Sequence, residues 1–159
     1  QKGNSNRQGR LIRTDDKGTV YYIYFNGTVE KKQIEEFSSN HFFDVADVDS
    51  DNVYDFIFVE KNELEVYKLS GKKIFDYEFE NKIEHSPSLY KFSANKTLVG
   101  ITDKTSRKIY LIDSRGGLAE GFPLPGKTRF SIGFLNKKAT NFSLIVGGDD
   151  QYLYNYNLN

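Results

Sequence analysis

The chain has no cysteine, no methionine and no tryptophan, and only two histidines and three prolines among 159 residues. Without cysteine there are no disulfides, thiolate metal sites or cysteine nucleophiles, and either redox compartment is permitted. No apolar run approaches the roughly 20 residues needed to cross a bilayer, so membrane insertion is not expected. Charge of one sign is also missing: 22 basic residues balance 22 acidic ones. No global field therefore draws the molecule to nucleic acid or to an anionic membrane. Gln1 to Arg10 is polar throughout, unlike a signal peptide. The polar segment 1–9 and the missing initiator methionine suggest a processed chain or an excised fragment.

The two histidines, His41 and His85, lie 44 residues apart, each at the entry to an apolar segment. Such a recurrence fits a structural role better than a lone general base. No Ser/His/Asp constellation is readable, and the spacing of paired acids in the fold is not visible from the sequence.

What the chain has in abundance is Tyr and Phe, 11 and 13 residues. Such side chains suit half-buried strands. They recur with a period. Turn glycines fall at 27, 71 and 116, spaced by 44 and 45 residues. Each ends a strand pattern: Thr19–Phe25, Glu63–Leu69 and Lys108–Ile112, with Tyr152–Leu158 as a fourth. A second apolar column precedes these at Leu11–Ile12, Phe56–Val59, Leu98–Ile101 and Leu144–Val146. Polar turns such as Asp15–Gly18 and Gly147–Asp150 join the two columns as hairpins. A third column comes before them (Phe42–Val45, Ser88–Phe92, Phe130–Phe134), and a fourth follows the glycine (Thr28–Glu30, Ile74–Phe79, Leu118–Leu124). Lys31 to Phe37 could pass for a helical turn, but it falls where a fourth strand belongs.

Four short antiparallel strands per 44–45 residues predict an all-β, β-propeller-like chain. About three and a half to four blades are expected, over 10–37, 38–81, 82–126 and 127–159. A β-sandwich or irregular barrel is the competing architecture. So few blades do not easily close a ring. The expectation is therefore a larger propeller, completed by further sequence or by self-association of a second copy into about seven or eight blades.

One loop stands out. Asp47, Asp49, Asp51 and Asp55 occupy positions 1, 3, 5 and 9 between two apolar runs. Converging oxygens of that kind suit a hard divalent cation, calcium before magnesium, because magnesium prefers to keep its water shell. A solvated Asp/Asn/Ser turn would have the same composition. The loop resembles the aspartate loop of FG-GAP and VCBS-type propeller repeats, Asp-x-Asp-x-Asp-Gly-x-x-Asp, with Asn52 in place of the glycine. Asn tolerates left-handed backbone angles better than other non-glycine residues. The resemblance implies one structural Ca2+ held by Asp47, Asp49, Asp51 and Asp55 with the carbonyl of Val53. The corresponding stretches Ser93–Lys96 and Leu135–Lys138 carry no acids. Because free calcium is scarce in cytosol, the resemblance also implies a periplasmic or cell-surface location. Tyr110–Gly116 further resembles the strand end of quinoprotein-like repeats. The tryptophan by which that family docks is missing, so pyrroloquinoline quinone is not implied.

Tyr152, Tyr154 and Tyr156 alternate strictly and are expected to share one face, as packing against a neighbouring blade or as a stacking surface for a saccharide or protein. The functional expectation is a non-catalytic binding or scaffold module recognising a protein or glycan. The alternative is part of a propeller enzyme such as a glycoside hydrolase or lyase.

Overall fold

The computed structural model describes residues 9–93, 96–136 and 141–158. Most of the polar segment 1–9, and residues 94–95 and 137–140 of the two loops without acids, lie outside them. Among the described residues there is no helix; fourteen strands form four antiparallel sheets.

The first sheet contains β1 (Arg10–Thr14), β2 (Thr19–Tyr24) and β3 (Val29–Gln33). The stretch that could have passed for a helical turn thus begins as a strand. The second contains β4 (Phe42–Ala46), β5 (Asp55–Glu60), β6 (Glu63–Tyr67) and β7 (Lys73–Glu78). The third contains β8 (Ser88–Ser93), β9 (Lys96–Asp103), β10 (Lys108–Ile112) and β11 (Leu124–Pro125). The fourth contains β12 (Ser131–Gly133), β13 (Phe142–Gly147) and β14 (Leu153–Leu158). In every sheet the strands pair in sequence order, as a meander of hairpins.

Alternation along the central strands explains the stacking. On β5, Phe56 and Phe58 join Val20, Tyr22, Phe37 and Tyr67 between the first and second sheets. The intervening Ile57 and Val59 join Val66, Val99, Ile101 and Tyr110 between the second and third. On β10, Ile109 and Leu111 face Leu144 and Val146 of the fourth. Strands buried on both faces read as near-continuous apolar runs, as β5 and β9 do. Phe37 stacks on Phe58 with centroids 4.2 Å apart. His41, whose ring lies beside both, places Nδ1 2.7 Å from the Ser38 carbonyl and Nε2 3.2 Å from Thr14 Oγ1. The imidazole ties the edge of this core.

The three hairpin turns ahead of the repeat glycines share one geometry. Tyr24, Lys68 and Asp113 each donate their N–H across the turn and accept the N–H of Gly27, Gly71 or Gly116. Those glycines have φ of 88°, 88° and 80°, the left-handed region where a side chain is strained. The strand expected over Leu118–Leu124 is shorter than its apolar pattern. Leu118 makes only an isolated bridge to Ile112, and pairing resumes at Leu124. Between them Gly121 turns at φ 81° and Pro123 has no N–H to give to a ladder.

Candidate functional site

The aspartate loop connects β4 to β5, starting one residue after Ala46, which pairs with Asp55 across the hairpin. Ser50 and Asn52 take φ of 65° and 66°. Asn52 thus occupies the left-handed conformation, which asparagine tolerates better than other non-glycine residues. Three internal hydrogen bonds shape the turn: Val48 N–H to Asp55 Oδ2 at 2.9 Å, Asn52 N–H to Asp47 Oδ2 at 3.1 Å, and Val53 N–H to Asp51 Oδ1 at 2.8 Å. Val53 itself is exposed.

Carboxylate oxygens of Asp47, Asp49 and Asp55 converge within 4.8 Å of one another. Asp55 is fully buried. Its Oδ1, like Asp47 Oδ1, is buried with no hydrogen bond. Left alone, such a cluster would be opposed by mutual repulsion and by the cost of removing charge from water.

A residue outside the loop supplies the counter-charge. Lys68 follows β6 at the start of the turn to β7, at the same end of the sheet. Its ammonium donates to Asp49 Oδ1 at 2.7 Å and to Asp51 Oδ2 at 2.8 Å. It lies 2.6 Å from Asp49 Oδ2 and 3.3 Å from Asp55 Oδ1. Burial opposes the charge on Lys68, but the three carboxylates outweigh it and hold its pKa above the ordinary lysine range. The Lys68 hydrogen bond, with the Val53 N–H, lowers Asp51. Burial pushes Asp55 up despite the Val48 N–H and Lys68.

The donor set is all carboxylate oxygen, which suits a hard divalent ion in chemistry. Three carboxylates converge, Asp55 Oδ1 meets only the Lys68 ammonium at 3.3 Å, and the buried Asp47 Oδ1 has no hydrogen bond. The same space contains the Lys68 ammonium, so an ion could enter only if that side chain swung away. Sequence reasoning missed Lys68. The one signal available was its position: the equivalent turn residues, Tyr24 and Asp113, are not basic.

The three C-terminal tyrosines differ in burial. Gln151 turns at φ 66°, which leaves Tyr152 ahead of β14 and 71% exposed. Tyr154 and Tyr156 point into the core between the third and fourth sheets. The Tyr156 hydroxyl donates to the Pro125 carbonyl at 2.9 Å.

Two cavities flank the third sheet. One of 430 Å³, toward the fourth sheet, is lined by Phe92, Phe122, Leu124 and Leu158, with Glu120 as its carboxylate. The other, of 330 Å³, adjoins the aspartate loop and has Asp47. Neither lining brings two acids together for glycoside hydrolysis.

Exposed apolar side chains gather at the ends of the stack. Of nine large ones among the described residues, seven belong to the first and fourth sheets or their turns: Leu11, Phe25, Val29, Phe134, Leu135, Tyr152 and Leu153. The other two, Val53 and Tyr54, lie on the β4–β5 loop of the second sheet.

These four stacked meanders define an all-β fold of the β-propeller kind. No family model matches the chain, and no curated protein matches it. Solved structures do. The β-propeller in the crystal structure of BBS1N in complex with ARL6DN, soaked with lead, is similar with a TM-score of 0.56 at 10% identity. The similarity covers 96% of this chain and 51% of that one. The chain spans about half the length of the solved structure it matches, and at this identity the likeness concerns the fold alone.

Proposed function

We propose that the four sheets are consecutive blades of a β-propeller that acts as a non-catalytic binding or scaffold module, with the two terminal blades as its association surfaces. The observation that carries this reading is the concentration of exposed apolar side chains on the first and fourth sheets. Each of these has three strands among the described residues, with β1 and β14 as edges. An edge strand offers unpaired backbone groups to an incoming chain. Leu153, 76% exposed, lies on the β14 edge, and Leu11, 55% exposed, on the β1 edge. Apolar side chains beside an open strand edge suit a protein partner, whose backbone can pair with that edge as a glycan cannot. The solved relative, in which such a fold is in complex with another protein, is in keeping with this.

The surfaces would be covered by further propeller, from adjoining sequence or from a second copy. The aspartate loop is then a structural corner of the second blade whose carboxylates call for cationic charge, with calcium as the divalent ion its donors suit. An extracytoplasmic location would follow from calcium occupancy alone.

Sedimentation equilibrium tests the reading. The wild-type chain is expected to gain mass with concentration, and Leu153→Lys and Leu11→Lys are expected to weaken that association while leaving the melting temperature within a few degrees. A stable wild-type monomer at all concentrations up to about 100 µM, well above typical micromolar association, would sink it.

A further inference from the structure

We propose that Lys68 is a tethered competitor for the divalent-cation seat of the Asp47–Asp55 loop, so that the corner folds without metal and a cation must displace the ammonium to bind. The inference rests on the reading of the loop as a calcium seat, and it adds the residue that sets occupancy.

Four observations carry it. The Lys68 ammonium lies within 3.3 Å of oxygens on Asp49, Asp51 and Asp55, three of the four carboxylates that would coordinate an ion. An ammonium and a calcium ion cannot share that volume, because ligand oxygens approach calcium to about 2.3–2.6 Å. The ammonium does not complete the site: Asp55 Oδ1 meets it only at 3.3 Å, and the buried Asp47 Oδ1 has no hydrogen bond. A buried oxygen left over beside a monovalent cation is what a seat for an ion of higher coordination would show with an ammonium in it. Finally, acid loop and basic turn occur together. In the third sheet, where the turn position of Lys68 is held by Asp113, the corresponding loop Ser93–Lys96 has no acid.

The chemistry follows from charge and reach. Lys68 is joined to the same sheet through β6, so its local concentration at the loop is fixed by the fold and does not fall on dilution. A free ion must therefore displace a tethered one, and its apparent affinity falls by the factor with which the ammonium occupies the seat.

Calcium titration of the purified chain and of Lys68→Met, by calorimetry and by melting temperature with and without chelator, tests this. Met keeps the unbranched stem and removes the charge. The wild type is expected to melt within about 1 °C of its chelated value in millimolar calcium, and Lys68→Met to bind calcium at least tenfold more tightly and to gain several degrees. Lys68→Arg, which retains a cation, is expected to stay as insensitive as the wild type. If Lys68→Met is too unstable to purify, Lys68→Gln serves with the same expectation. Equal calcium affinity in wild type and both neutral variants would overturn the competitor role while leaving the calcium seat standing. No binding to any of them would overturn the seat as well.

Discussion

The ammonium of Lys68 lies 3.3 Å from Oδ1 of Asp55, a carboxylate with no exposed surface on the far side of the β5–β6 hairpin. The two lie thirteen positions apart in sequence. Their proximity follows from topology. The β4–β5 loop and the β6–β7 turn emerge at the same end of one meander, so a long side chain on the turn reaches across it. Asp55 also accepts the Val48 N–H and thereby folds the loop back on its own strand. Removing it strands a buried donor and deprives Lys68 of its most buried partner. Asp55→Ala is expected to cost about 2–4 kcal/mol in urea unfolding. Asp55→Asn, which keeps an acceptor for Val48, is expected to cost less. Equal losses would show that the acceptor for Val48 contributes nothing beyond the charge.

Gly100 tests the packing of the third sheet against the fourth. A Cβ there would come within 2.5 Å of Tyr90 Cε2 and 2.7 Å of Phe130 Cζ, two rings stacked 5.1 Å apart over the strand. Gly100→Ala is expected to lose about 1–3 kcal/mol through overpacking. Gly133, with nothing within 4 Å of its Cβ position, is the control. Gly133→Ala should be neutral or gain a few tenths, up to ~1 kcal/mol. Urea midpoints of the pair decide the matter.

Asp103 gives the molecule an acid-labile tie. Burial alone would raise its carboxyl, but the Asn81 amide and the N–H groups of Ser106 and Thr105 outweigh it and hold its pKa below the ordinary range. A carboxyl depressed by folding adds stability above its unfolded pKa of about 3.9 and loses it as pH falls through the lower folded value. Asp103→Asn is therefore expected to be about 1–3 kcal/mol less stable than wild type at pH 7. The gap should narrow as pH drops below about 4. A gap independent of pH would show that the native charge is not what these donors stabilise.

The C-terminal tyrosines should separate in mutational cost. Tyr152→Ala is expected to change stability by no more than about 0.5 kcal/mol, as for a surface position. Tyr156→Ala, which removes packing against the third sheet and a hydrogen bond to Pro125, is expected to cost about 1–3 kcal/mol. Comparable effects in thermal unfolding would contradict the placement of the two rings.

Much of the fold was legible because it is written in period-two alternation. Phe56, Ile57, Phe58 and Val59 are apolar without a break, and each face of β5 is indeed buried against a different sheet. Turn glycines marked the repeat because only a residue free of strain at positive φ serves those corners. Alternation misled where it ran past the end of a strand. Tyr152 obeys the period of Tyr154 and Tyr156, yet the left-handed turn at Gln151 leaves it outside the ladder. Leu118–Leu124 had the apolar content of a strand, while Gly121 and Pro123 broke its hydrogen bonding. The aspartate loop was visible as a spacing of acids. Its counter-charge was not, because the partner comes from a separate turn that only the paired strands bring near.

What the loop carboxylates surround once Lys68 is neutralised decides whether the corner is a divalent-cation seat. High-resolution diffraction from crystals of Lys68→Met grown with calcium would test it most directly. The prediction is an ion among the oxygens of Asp47, Asp49 and Asp55 at about 2.3–2.6 Å. A loop that keeps its turn but contains only water at that point would contradict it.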